Sequence, residues 1–429
     1  MDKTKIIIIS SLVAAAILVL IIVFGFVFKA TDNSPESVSA TLQFWGVNDN
    51  EAAYQSAISG FKSLYPNIEI QYRRFNDIET YERSLLNAFA ENRAPDVFMV
   101  RNNDLFRKMN IIRTAPTSAY SIIQMRNDFP SVVEENFAFD GNIYGLPLSI
   151  DTLVTIYNED IFNENSIVFP PANWNDLQNY APTLTKKNQD GEITQSAAAM
   201  GGSENVQTSK DILSILMLQT GVEIINNSYT STNFDTSNGS SALNFYTSFA
   251  NPDSNNYTWN KDMKNSRQAF ADEKVAMIFD YQSAIKEIKS RNPFVNLEVA
   301  PLPQSIGSDR KMSFTNYWGY TVSTQSNYFN VAWDFVKFMT VDTISAQDYM
   351  ITTGKVPALR ILINANLESA DLEVFAKQTL LARSWPEPHP ELVKDAFNNM
   401  IDDVVDKGYT PREATKRARD IINNLMQTR

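Results

Sequence analysis

The 429 residues contain no cysteine and one histidine, His389. The first absence excludes disulfides, thiol catalysis, cysteine-based zinc sites and thiolate-held clusters, and the second excludes chemistry built on several imidazoles. Positive charge is also short. The 37 Lys and Arg against 49 Asp and Glu leave a formal charge of −12, which argues against nucleic acid as a partner and against adhesion to anionic lipid. No HExxH, GxxxxGK, GxSxG, GxGxxG or EF-hand loop occurs, so nothing in the motifs calls for a metal, a nucleotide or another cofactor. Carboxylate pairs do occur at Glu134-Glu135, Asp272-Glu273 and Asp402-Asp403. Adjacent side chains on a helix or strand point apart, so these read as solvated surface rather than as an acid/base couple. His389 lies between prolines in WPEPHP and reads as an exposed loop residue.

Two features bound what is present. A chain of this length with 44% hydrophobic residues suggests two domains with sizeable cores. Ile6 to Phe28 is free of charge, and its 23 residues would reach about 34 Å as a helix, enough to cross a hydrocarbon core of roughly 30 Å. With Lys3 and Lys5 before it, residues 1–29 are expected to form a transmembrane anchor with everything after Lys29 outside the cytoplasm. A cleaved signal peptide is the alternative, although Phe28-Lys29-Ala30 is a poor cleavage site. Residues 30–40 are polar and read as a linker.

The first folded stretch alternates strand and helix. Leu42 to Trp45 reads as a strand, Tyr54 to Tyr65 as an amphipathic helix, Ile68 to Tyr72 as a strand, Tyr81 to Phe89 as a second helix and Val97 to Val100 as a third strand. This β-α-β-α-β order predicts a parallel, doubly wound unit whose ligand edge is at the strand ends, Trp45 to Asn48 and Arg101 to Asn103. Phe139 to Glu164 then carries three instructions in succession. Asp140-Gly141 supplies the positive φ angles of a hairpin turn, Leu148 to Tyr157 reads as a long strand, and Asn158 can cap the following helix. Asn173 with Asp176 forms a capping-box pattern, and Ser209 to Thr220 reads as a buried helix. Asn226 to Ser241 and Asn251 to Asn260 read as surface loops, and the Asn-x-Ser/Thr triplets at Asn226, Asn238 and Asn256 fit chance in so Asn-rich a stretch.

The run DG-x-IYGLP followed by L-x-x-IYNEDIF resembles the central signature of extracellular solute-binding proteins of the maltose-binding type, the capture subunits of ABC importers. The NRAPDV entry to the third strand, the FPPANWNDL helix start, the EKVAM strand and the GYTPREATKRARDIINNLM helix match the same family in order. The resemblance implies an α/β, two-lobed fold of the periplasmic-binding-protein type II kind, with crossover hinge strands after the transmembrane helix. It would place residues 41–149 in lobe 1, 150–300 in lobe 2, 301–340 back in lobe 1 and 341–429 in lobe 2 as C-terminal helices. Crossovers would lie near Ile150, at Val299 to Pro303 and near Thr340. Ser283 stands where the family frequently has an aromatic, with Tyr281 as the substitute. The lipidated cysteine of many members is missing, and the hydrophobic helix would replace it.

A small polar ligand, most naturally a sugar or oligosaccharide, then fits best. Sugars present flat apolar faces edged with hydroxyls, so aromatic platforms and a polar rim suffice to bind them. Trp45, Tyr281, Trp318 and Trp385 are the candidate platforms, and Asn48, Asp49, Arg101, Asn102 and Asp151 the candidate rim. The expected partners are a carbohydrate, ABC permease subunits and, through the N-terminal helix, the membrane. The expected state is monomeric, with no nucleic acid and no enzyme activity. Two alternatives from other classes are a membrane-anchored saccharide hydrolase and a ligand-sensing interaction module.

Overall fold

The computed structural model describes residues 39–427 other than 227, 308 and 309. The expected anchor and almost all of the linker therefore lie outside the described residues. No helix among the described residues is long and apolar enough to cross a membrane.

The first lobe is built on a sheet of β1 (Ala40–Val47), β2 (Ile68–Phe75), β3 (Val97–Arg101), β4 (Ile112–Arg113), β7 (Leu146–Pro147) and β15 (Trp318–Ser323). Its order is β2-β1-β3-β15-β4, with β7 also beside β15. The doubly wound unit is present, since β1 pairs in parallel with both β2 and β3. β15 then joins antiparallel to β3. The strand pattern explains the burial: Leu42, Phe44, Val97 and Phe98 have no exposed surface and form the floor of one hydrophobic core. Between β5 (Ala138–Phe139) and β6 (Asn142–Ile143), Asp140 and Gly141 take φ values of 48° and 75°, so the expected hairpin turn forms.

The second lobe is built on β9 (Val154–Asn158), β10 (Lys186–Lys187), β11 (Ile193–Ala198), β12 (Val275–Asp280) and β13 (Leu297–Ala300), in the order β10-β11-β12-β9-β13. Every residue of β12 is buried: it is the central strand of this sheet and packs against the helix Ser266–Ala271 and, through Phe279, against Trp174. Asn158 caps the helix Glu159–Glu164 by accepting from the Ile161 amide at 3.1 Å. Asn173 and Asp176 complete the capping box of the helix Trp174–Leu184. The C-terminal helices Pro390–Val405 and Pro411–Gln427 seal this second core with Phe397, Ile401 and Ile422.

A third, small sheet joins the two. β8 (Asp151–Thr152) pairs antiparallel with β14 (Ser313–Asn316), which pairs in parallel with β16 (Ala382–Arg383). Three passes of the chain therefore cross here, and the positions differ from expectation in three ways. Leu148 to Tyr157 is not one strand: it is broken into β8 and β9 around Leu153, whose amide bonds to the Phe314 carbonyl. Val299 to Pro303 is not the second crossover. Leu297–Ala300 is an edge strand of the second sheet, Leu302 and Phe314 remain in the second core, and the chain crosses at β14. The helix Thr343–Thr353 packs on the first core through Ala346 and Tyr349, as do Ala358, Leu359 and Leu362, so the third crossing comes at β16 rather than near Thr340. The stretch from Ser237 is also not loop, because Ser237–Thr247 is a helix.

Candidate ligand-binding cleft

A cavity of about 1060 Å³ opens between the lobes at the three-stranded sheet. Its first-lobe wall comes from the end of β1, from β2 and from the end of β3. Its second-lobe wall comes from the start of the helix Ser209–Gln219, from Arg267 and from the helix Gln282–Arg291. The crossing segments supply Asp151, Asn316 and the turn Thr353–Lys355 at its base.

Asn48 lies just past β1 with φ 67°, a left-handed turn that an asparagine tolerates, and this turn brings Asp49 to the cavity wall. Asp49 is nearly buried and accepts from the Tyr349 hydroxyl at 2.7 Å and from Lys355 Nζ at 2.6 and 2.8 Å. Arg101 lines the cavity at the end of β3 and donates Nη2 to Glu391 Oε1 at 3.0 Å. Trp318 opens β15 and shows a half-buried ring to the cavity, edge-on to Tyr81 at 6.0 Å.

On the opposite wall Tyr281 is buried and donates its hydroxyl to Asp211 Oδ2 at 2.8 Å. Burial pushes that hydroxyl well above its ordinary range, so it stays protonated as a donor. Asp151 accepts from the amides of Gln282 at 2.9 Å and Ser283 at 3.2 Å, so the hinge strand caps a second-lobe helix. Desolvation pushes the Asp151 carboxyl up to about 6, against the lowering effect of those two amides.

Three of the nine expected site residues are elsewhere. Trp45 is mid-strand, because β1 continues to Val47, and it packs in the first core against Phe75 at 5.1 Å with the Arg73 guanidinium over its ring. Trp385 is buried in the second core, stacked on Phe397 and donating to Ser214 Oγ. Asn102 is buried behind the wall. Its amide nitrogen donates to Asn136 and Ser384, and its Oδ1 accepts the Tyr317 amide, so it braces the end of β3 against the crossing segments. His389 is half-buried rather than exposed, with Nε2 3.1 Å from Arg107 Nη1. Asp403 is likewise buried, paired with Lys407 and Arg417.

The cavity wall also contains cations that the sequence did not single out. Arg267 clamps Asp280 with two bonds of 2.8 Å and reaches Glu287. Lys286 and Lys289 project from the helix Gln282–Arg291, and Arg74 from β2. The signal available was the spacing of Gln282, Lys286 and Lys289, which recur on one helical face.

The model of the bacterial extracellular solute-binding protein family matches residues 46–343. The chain belongs to this family. Among its relatives, an ABC transporter extracellular-binding protein of Pyrococcus horikoshii is 20% identical over 404 residues, which cover 89% of this chain and 86% of that protein. A solved cyclo/maltodextrin-binding protein complexed with maltotetraose superposes with a TM-score of 0.74 at 19% identity, covering 92% of this chain and 99% of its own. A Thermotoga lettingae solute-binding protein bound with alpha-D-tagatose gives 0.69 at 20%, covering 90% and 100%. The two-lobed α/β fold is thereby shown. The family comprises binding proteins rather than enzymes, which removes the hydrolase alternative for this solute-binding protein.

Proposed function

We propose that this solute-binding protein captures a carbohydrate outside the cytoplasm by closing its two lobes and delivers it to an ABC importer. The observation that carries the reading is the 1060 Å³ cleft at the three-stranded hinge, walled by both lobes. A ligand there touches both lobes only when they approach, so binding energy favours the closed form. The saccharides in the relatives' structures support this ligand class, and the Pyrococcus relative supports an ABC transporter as partner. The volume suits an oligosaccharide better than one hexose, since it matches the upper range of small-molecule pockets. Asn48, Asp49, Arg101, Asp151, Tyr281 and Trp318 would form its polar rim and platforms. The protein would act as a monomer, held at the membrane by Ile6 to Phe28.

The test is X-ray scattering of the full chain with and without a saccharide panel, in parallel with calorimetric titration. Binding with a smaller radius of gyration supports the reading, and saturation at unchanged radius counts against closure. Anchoring is checked by intact mass and fractionation: a chain beginning near Ala30 in the soluble fraction would end it.

A further inference from the structure

The cleft wall inverts the charge of the chain. The chain carries 37 basic against 49 acidic residues, yet six Lys and Arg and only four Asp line the cleft among the described residues. The pairing within the wall is uneven as well. Lys355, Arg101 and Arg267 each have a carboxylate partner, at Asp49, Glu391 and Asp280. Arg74, Lys286 and Lys289 form no ion pair among the described residues. Arg74 donates to the Asn50 side-chain oxygen, and Lys289 to the Val295 carbonyl at 2.7 Å. On the acidic side, Asp211 is paired with Lys210 and Asp151 is occupied by two helix amides, which leaves Asp371. The aromatic side is thin in return, since of the three tryptophans expected at the site only Trp318 is in the wall.

These three cations come from both lobes, Arg74 from β2 and the two lysines from successive turns of the helix Gln282–Arg291. Closure removes water from them. A neutral sugar offers hydroxyls but no countercharge, so it would leave desolvated cations without compensation, which disfavours its binding. A carboxylate on the sugar ring supplies the missing charge and a charge-assisted hydrogen bond to each.

We propose that the cleft selects acidic saccharides, oligosaccharides bearing uronate carboxylates, with Arg74 from one lobe and Lys286 and Lys289 from the other as the groups that read the charge. This rests on the carbohydrate reading above and narrows it.

The experiment titrates the full chain with trimers of galacturonate, mannuronate and glucuronate and with the matched neutral galactose, mannose and glucose trimers, at 20 and 300 mM salt. At least one uronate trimer binds, at least tenfold tighter than its neutral counterpart and more weakly at high salt, where exposed charges are screened. Lys286→Gln and Arg74→Gln each lower that affinity at least about fivefold and flatten its salt dependence, Lys286→Arg restores most of it, and melting temperature is unchanged because both side chains are exposed. Binding of the neutral trimers equal to or tighter than the acidic ones overturns the selectivity while leaving the carbohydrate reading intact. Binding of none of the six trimers overturns both.

Discussion

Tyr229, in the loop after the second-lobe residue Ile225, packs on Phe106, which follows β3 in the first lobe, with ring centroids 4.6 Å apart and Phe139 at 5.8 Å completing the cluster. Neither ring lines the cleft, so this contact joins the lobes outside the candidate ligand site. It lies in one seam with the Arg101–Glu391 and Arg107–His389 contacts and with the Glu387 amide bond to the Asn103 carbonyl. The seam is incompletely satisfied: Arg101 Nε, Asn103 Oδ1, Glu387 Oε2 and His389 Nδ1 are buried and have no hydrogen-bond partner among the described residues. Orphaned polar atoms disfavour a tight seam, and the aromatic cluster opposes them.

Tyr229→Ala therefore removes a ring contact of about 0.5 to 1.5 kcal/mol from the lobe interface and little from either core. The ligand-free radius of gyration rises, and the melting temperature moves by no more than a few degrees. A radius identical to wild type would show that the seam does not hold the lobes.

Trp45→Ala tests the assignment of that side chain to the core. A large aromatic deleted from a packed sheet costs about 3 to 5 kcal/mol, here with loss of the Arg73 stacking. Chemical denaturation should show a loss of that order. A mutant as stable as wild type with impaired ligand binding would return Trp45 to the cleft.

Local chemistry was readable in the sequence, and long-range choice was not. Asp140-Gly141, the Asn158 cap and the Asn173–Asp176 box depend on residues within a few positions of one another, and each formed as expected. The parallel unit followed from the alternation of strand and helix. Trp45 failed because its surroundings are set across the strand pair, where it faces Arg73 with Phe75 alongside, and neither is near in sequence. Trp385 failed similarly: a proline-rich loop reads as exposed, but Phe397 lies one helix away to receive the ring. The second crossing was placed at Val299 to Pro303 by resemblance alone, and the polar SFTN of β14 carries no local mark of a crossing strand, because its Ser313 and Thr315 hydroxyls are satisfied by the distant Leu153 and Asp151 carbonyls. Lys286 and Lys289 carry no local signal beyond helical spacing.

Lys355 is held against Asp49 by the turn at Gly354, whose φ of 69° ends the helix Thr343–Thr353. Removing its ammonium leaves a nearly buried carboxylate with the Tyr349 hydroxyl at 2.7 Å and the Tyr54 hydroxyl at 3.4 Å. Lys355→Ala is expected to cost about 1 to 3 kcal/mol, and Asp49→Asn with Lys355→Ala less than the sum of the two. Strict additivity would show that the pair contributes nothing.

Asp151 gives the protein a pH dependence whose sign follows from its position. Its ordinary value in an unfolded chain is 3.8, and desolvation in the fold raises it to about 6. A carboxyl raised on folding binds its proton more tightly in the native state, so its stabilising contribution is complete below about 3.8 and is lost as pH rises through about 6. Asp151→Asn removes this titration, and its side-chain oxygen can still accept one of the two helix amides. The difference in unfolding free energy between wild type and variant should therefore drift by about 1 to 2 kcal/mol between pH 4 and pH 7, wild type losing ground as pH rises. That figure is below the full linkage value because the carboxyl opens to the cleft and is partly screened. Urea denaturation of both proteins at half-unit steps measures the drift. Parallel curves across that range would mean that Asp151 titrates as it does in the unfolded chain, with water reaching the carboxyl freely at the hinge.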